Sequence, residues 1–241
     1  MATLKPRKSP VQARSAATVE TLHIAAIQVL IREGIGRCTT IRIAERAGTS
    51  VGSLYQYYPN RDALLAAVLE THLDGVAGAV EQACSEQRSK PVSQMASALV
   101  IAFLAMKLRE PEKSKALYTV AAERGGAVLV ARLRKRMVAA VTAMLTSAPD
   151  AHFDDPATTA TIALGALVGP VQTLLEGRAP AGFGARLEKE LILLLTAYLQ
   201  AHQPRPKRTG RPAAITEAKA QADATPKSSF PFSHERPVQA G

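Results

Sequence analysis

Residues 39–65 read TTIRIAERAGTSVGSLYQYYPNRDALL, and this stretch decides the fold. Three of the protein's five tyrosines, Tyr55, Tyr57 and Tyr58, fall inside it, in a sequence that is 4% aromatic and has no tryptophan. Thr39 or Thr40 is placed to cap a short helix with Ile43, Ala44 and Ala47 on its inner face, and Gly48 stops it. Thr49 or Ser50 then caps a second short helix running to about Tyr58, where the coming Pro59 disfavours continuation. Asn60 caps the next helix, Asp62 suits its electropositive first turn, and Leu64, Leu65, Val68 and Leu69 form its apolar stripe. Upstream, residues 15–33 repeat Leu22, Ala25, Ala26, Val29 and Leu30 at helical spacing, and Gly34 ends that pattern.

Segments 40–47 and 50–58 make a helix-turn-helix if Ala44 and Ala47 let the backbones approach and Leu54 fills the gap. Leu54 and Tyr58, four apart, then face the core, which leaves Tyr55, Gln56 and Tyr57 largely exposed. Exposed phenols on a chain of net charge +10 are suited to donate to phosphate oxygens. Polyanions, whether nucleic acid or an anionic membrane surface, are the partners this charge favours.

The rest of the 241 residues is helical in composition, with 47% apolar residues and few strand formers. Longer patterns are expected at 92–109, 112–124, 127–145, 156–176 and 184–200, divided by Pro91, Pro111, Gly125–Gly126, Pro149 and the 177–182 segment. The expected fold class is all-α. Its organisation is a basic arm at 1–13, a helix-turn-helix domain at 14–74, a helical domain at 75–202 and a basic tail at 203–241 too poor in large apolar residues to order itself. Residues 157–175 are uncharged over nearly a membrane-spanning length, but threonines, glycines and a proline dilute them, so a buried helix is expected and no membrane partner. The amino-terminal charges have no apolar run behind them, so export is not expected and a cytoplasmic location is. Cys38 and Cys84 read as reduced thiols. No metal-ligand cluster, glycine-rich phosphate loop, nucleophile elbow or His–carboxylate constellation appears, so no metal, cofactor or enzymatic activity is expected.

Residues 1–74 resemble the DNA-binding domain of the tetracycline-repressor (TetR) family of bacterial transcription regulators. Thr39, Thr40, Ile43, Ala44, Ala47, Gly48, Ser50, Gly52, Leu54, Tyr55, Tyr57, Asn60 and Leu64 fall on the family pattern, with Gly34 after the first helix. Three positions depart from it. Tyr58 stands for the usual Phe and brings a hydroxyl that needs a partner or water. Arg61 stands for Lys, and Thr49 for Val. The resemblance implies that Thr40, Tyr55, Tyr57 and Arg61 hold the DNA backbone, while Val51, Gly52, Ser53 and Gln56 meet base edges in the major groove. Periodicity alone turns Val51 inward. Arg42 points near the groove, where it could read guanine or merely neutralise phosphate, with phosphate the favoured reading, and Thr39, Ser50 and Asn60 complete the DNA-binding set. Lys5, Arg7, Lys8 and Arg14 could serve an arm reaching the minor groove, and Gly210-Arg211-Pro212 is similar to the core of an AT-hook, although a solvated tail is the default reading.

The resemblance further implies that 75–202 binds a small effector and forms a homodimer through its last two helices. Met95, Leu99, Phe103 and Met106 recur at helical spacing and with Tyr118 are candidates to line a pocket, with Glu123 or Gln172 orienting a polar group. The same stripe is also the pattern of plain core. Gly165 and Gly169, with Leu187, Leu191, Leu194, Leu195 and Tyr198, are the candidate dimer contacts. Lys107, Arg109, Lys113, Lys115, Arg132, Arg134, Lys135 and Arg136 are expected on solvated faces. The leading expectation is a dimeric repressor that binds a palindromic operator and is released by an effector. A regulator of the same fold without a small ligand, acting as an activator or through a protein partner, is the alternative.

Overall fold

The first helix, α1 (Ala13–Glu33), turns Leu22, Ala25, Ala26, Val29 and Leu30 inward along one stripe. A single 3₁₀ turn, Ile35–Arg37, leads into α2 (Thr40–Arg46) and α3 (Val51–Tyr57). These elements come from a computed structural model, which describes residues 13–123 and 125–202. The capping alternatives resolve to Thr39 and Ser50: the Arg42 amide donates to Thr39 Oγ1 at 3.4 Å and the Ser53 amide to Ser50 Oγ at 3.0 Å. Between the two helices Gly48 takes φ 65°, a left-handed conformation in which a side chain is strained, so the turn depends on glycine. Tyr58 is extended ahead of Pro59, and Asn60 Oδ1 accepts the Ala63 amide at 2.8 Å to start α4 (Arg61–Glu86).

Five more helices follow: α5 (Val92–Leu108), α6 (Pro111–Ala122), α7 (Gly126–Thr146), α8 (Pro156–Leu175) and α9 (Phe183–Gln200). No strand occurs among the described residues, and the fold is all-α. Asp155 caps α8 by accepting the Thr158 amide at 2.9 Å. From a distance in sequence, Asp150 accepts the Val92 amide at 3.0 Å and so ties the start of α5 to the α7–α8 connection. At the α6–α7 corner, a Cβ on Gly126 would lie 2.5 Å from the Val120 carbonyl oxygen, so only glycine fits that approach.

Buried side chains gather into two clusters. One unites α1 to α3 with the first half of α4 and takes in Leu117 and Val120 of α6. The other begins at Val76 of α4 and fills the space among α5, α7, α8 and α9. The boundary expected at residue 74 therefore falls inside a continuous helix: α4 belongs to both clusters, and Gly75 interrupts nothing. Arg132 and Arg136 of α7 are exposed, as expected, and within that solvated face Arg136 grips Asp74 at 2.6 Å and Glu81 at 2.8 Å while Arg132 pairs with Glu70. Both α4 and α8 are long and apolar enough to cross a membrane by length and composition, and each lays a buried stripe into these cores.

Candidate DNA interface and internal cavity

The geometry of α2 and α3 follows from what each buries. Ile43, Ala44 and Leu54 are fully packed, as is Tyr58 just beyond α3, and the opposite sides of both helices face solvent. On that outer side Tyr55 is 41% exposed, and its hydroxyl lies 3.3 Å from Thr40 Oγ1, linking the two helices across the turn. Gly52 and Gln56 are exposed beside it. A Cβ on Gly52 would meet only Ser50 Oγ, at 3.7 Å, so the bare backbone there is not demanded by packing. Ser53 Oγ is engaged with Ser50 Oγ at 2.9 Å.

Other sequence-predicted residues sit differently. Val51 is half-buried against the amino-terminal cluster, the side to which periodicity turns it, and Tyr57 is half-buried there too rather than largely exposed. Arg61 is committed within the chain: its Nη1 donates to the Ile35 carbonyl at 3.2 Å and its Nε to Asp62 at 2.8 Å, which fastens the 3₁₀ turn to α4. Arg42 is exposed and ion-paired with Glu33. Thr39, Ser50 and Asn60 are spent as helix caps. The arms, with Lys5, Arg7, Lys8 and the Gly210–Pro212 motif, lie outside the described residues, as does the Arg14 side chain.

A cavity of about 500 Å³ opens among α4, α5, α6, α7 and α8. Of the residues expected to line it, Phe103 and Tyr118 do. Met95 and Leu99 are instead fully buried in the core, Met106 packs near Gly75, Glu123 is exposed at a separate small pocket, and Gln172 donates to Glu176 at 2.7 Å. His72 and Lys107 line it unforeseen. Lys107, expected in solvent, is 6% exposed, and its ammonium sits 4.5 Å from the centre of the Tyr118 ring. The signal was in the sequence: Lys107 follows Phe103 by four and continues the buried stripe of α5.

Burial sets the chemistry of this lining. It lowers the Lys107 ammonium to a pKa of about 8 and raises the Tyr118 phenol to about 12, the latter helped by Glu176. Burial, then the charges of Lys107 and Lys113 outweighing Glu110, lowers His72 to about 4. His72 Nε2 and the Tyr118 hydroxyl are buried without a hydrogen-bond partner.

At the other end of the chain, the stripe expected to pair two copies is largely internal. Leu187, Leu191 and Leu195 are buried within the chain, where α9 packs on α5, and Tyr198 is half-buried with its ring against His202. Leu194 is 50% exposed and Leu193 61%, and on α8 Ile162 and Val168 are exposed as well. Gly169 faces open space, while a Cβ on Gly165 would touch Arg134 at 3.5 Å.

A helix-turn-helix held by a caps-and-glycine frame, joined through one long helix to a hollow helical bundle, defines a DNA-binding regulator. Residues 24–68 match the model of bacterial regulatory proteins of the tetR family, and residues 91–199 match the tetracyclin repressor-like C-terminal domain. The chain belongs to the TetR family, whose members are DNA-binding transcription factors and not enzymes. No curated protein matches it. Among solved structures it is similar to a Mesorhizobium loti protein described as a TetR-family transcriptional regulator, with 19% identity, TM-score 0.64, and coverage of 80% of this chain and 100% of that one. It is similar also to SmeT, the repressor of the Stenotrophomonas maltophilia multidrug efflux pump SmeDEF, at 18% identity and TM-score 0.60, covering 78% and 91%. A third is the regulator FadR from Bacillus subtilis, solved with stearoyl-CoA, at 14% identity and TM-score 0.62, covering 74% and 98%. At these identities the likeness is one of fold.

Proposed function

We propose that the protein is a cytoplasmic repressor that grips a palindromic operator as a homodimer and lets go when a small molecule fills the cavity. One observation carries the reading: α4 starts under the helix-turn-helix and, farther along, lines the cavity with Leu69, His72, Leu73 and Val76. Anything that shifts α4 to admit a ligand also moves the base on which α3 stands. Helix α6 adds a second link, because Leu117 packs both in the amino-terminal cluster and along the cavity. A ligand and an operator that favour different placements of α4 weaken each other's binding.

On DNA, Tyr55, Gln56, Gly52 and Thr40 form the outward patch. Tyr55 and Thr40 bond to phosphates, and Gln56 reads a base edge where Gly52 permits close approach. Arg42, itself exposed, exchanges its half-buried partner Glu33 for a phosphate at little cost, because ion pairs open to solvent are weak. Ile162, Val168 and Gly169 of α8 with Leu193 and Leu194 of α9 are the surface that meets a second copy, and symmetric pairing presents two α3 helices to two half-sites. Among proteins of this fold, SmeT is named as a repressor and FadR was solved with stearoyl-CoA.

The test is selection of bound sequences from a random duplex pool, followed by titration of the recovered site. A palindrome bound by two copies, with affinity lost on Tyr55→Ala and Gln56→Ala, is the expected result. Recovery of non-palindromic or unrelated sequences overturns the reading.

A further inference from the structure

The lining of the cavity is lopsided in charge. Lys107, His72 and Tyr118 bring three polar groups into a mostly apolar space, with Arg134 also on its wall, and no acidic side chain lines it among the described residues. Buried charges in proteins are normally paired, and buried polar atoms normally hydrogen-bonded. Here Lys107 is almost wholly buried and rests against an aromatic face with no acidic partner, and burial alone accounts for its altered basicity. The nearest acids that act on the site are engaged outside it: Glu110 accepts from Lys113 at 2.9 Å, and Glu176 accepts from Gln172 at 2.7 Å and pairs with Arg178. The His72 ring nitrogen and the Tyr118 hydroxyl are likewise left over. A folded chain keeps such a costly arrangement when something else completes it.

We infer that the ligand of this cavity is an amphiphile with one carboxylate head, seated on Lys107 and hydrogen-bonded by His72 and Tyr118, with its apolar body along Leu69, Val76 and Phe103. The inference rests on reading the cavity as the effector site. One buried ammonium matches one negative charge, and a carboxylate accepts from several donors at once through its two oxygens. A neutral amphiphile of the same shape leaves Lys107 unmatched, and a cationic one opposes it. The apolar majority of the wall rewards a hydrocarbon body and excludes small, fully hydrated anions.

The experiment compares saturated fatty acids from decanoate to palmitate with the primary alcohols of the same lengths, by calorimetry on the full-length protein and on Lys107→Met, with Lys107→Gln as a second variant. The wild-type protein is expected to bind at least one acid about ten-fold or more tighter than its alcohol, and both variants to lose that preference while still binding the alcohol. Loss of alcohol binding together with the melting transition marks a variant that has not folded, and the other variant then decides. Equal affinity for acid and alcohol, a preference that survives in a folded variant, or no binding of either class overturns the assignment. Operator release is measured separately with the selected palindrome. Acid binding through Lys107 without release leaves the ligand class standing and removes the effector reading; release by an uncharged compound, unaffected by Lys107→Met, removes the ligand class and leaves the effector reading.

Discussion

The hydroxyl of Tyr58 lies 2.7 Å from Nε2 of His23, and the bond fastens the end of α3 to α1 inside the amino-terminal core. It answers the question posed by a tyrosine where the family pattern has phenylalanine: the extra hydroxyl found a ring nitrogen one helix away. Burial lowers the pKa of His23 and raises that of Tyr58 to about 12, so both stay neutral at pH 7 and the bond costs no buried charge.

Tyr58→Phe should leave a half-satisfied His23 and cost about 1 kcal/mol of stability, with operator affinity little changed because position 58 faces the core. Urea unfolding of Tyr58→Phe, His23→Leu and the double variant checks this. A double variant no less stable than the worse single one is the signature of one shared bond.

Acid should weaken the protein between pH 6.5 and about 4. His72 has a folded pKa of about 4 against 6.5 ordinarily, so the unfolded chain takes up the proton first and stability falls as pH drops through that window. The full loss from this residue is on the order of 3 kcal/mol. Burial is the leading cause and Lys107 the next, so His72→Gln should flatten the pH dependence and Lys107→Met should reduce it. Chemical unfolding at pH 7.5 and 4.5 measures both.

Two glycines should respond in opposite ways to the same substitution. Gly126→Ala drives a methyl group against the Val120 and Ala121 backbone, and about 1–3 kcal/mol of destabilisation follows. Gly52→Ala meets no such obstacle in an exposed helical turn, so stability should hold or rise by up to about 1 kcal/mol. Operator affinity should nevertheless fall for Gly52→Ala, since the methyl group stands between α3 and the groove. Unchanged affinity would mean that this end of α3 does not approach DNA.

Helices were legible in the sequence because their ends are chemically marked. Gly34, Gly48, Pro59, Pro91 and Pro111 punctuate the chain, and Thr39, Ser50 and Asn60 supply side-chain caps at the starts they imply. The continuity of α4 was not legible, since an exposed glycine such as Gly75 weakens a helix without ending it when packing on both sides holds the register. Lys107 escaped because its residue type argued for solvent while its place in the α5 stripe argued for the core, and position prevailed. The leucines of α9 expose a different limit: periodicity tells which face is apolar, but not whether the partner is α5 of the same chain or another copy.

That last distinction can be tested with two neighbouring leucines. Leu191 is buried under α5, so Leu191→Glu places a charge in the core and should unfold the carboxy-terminal bundle. Leu194, one turn on, is half-exposed at the edge of that buried stripe, and exposed apolar residues also occur at Leu193 and, on α8, at Ile162 and Val168. Leu194→Glu should keep the helical circular dichroism and melting temperature of the monomer fold while shifting sedimentation from two copies to one. Because one α3 helix reads only one half-site, its affinity for the palindrome should fall by far more than its affinity for a single half-site. A Leu194→Glu protein that still sediments as a dimer would move the contact away from α8 and α9.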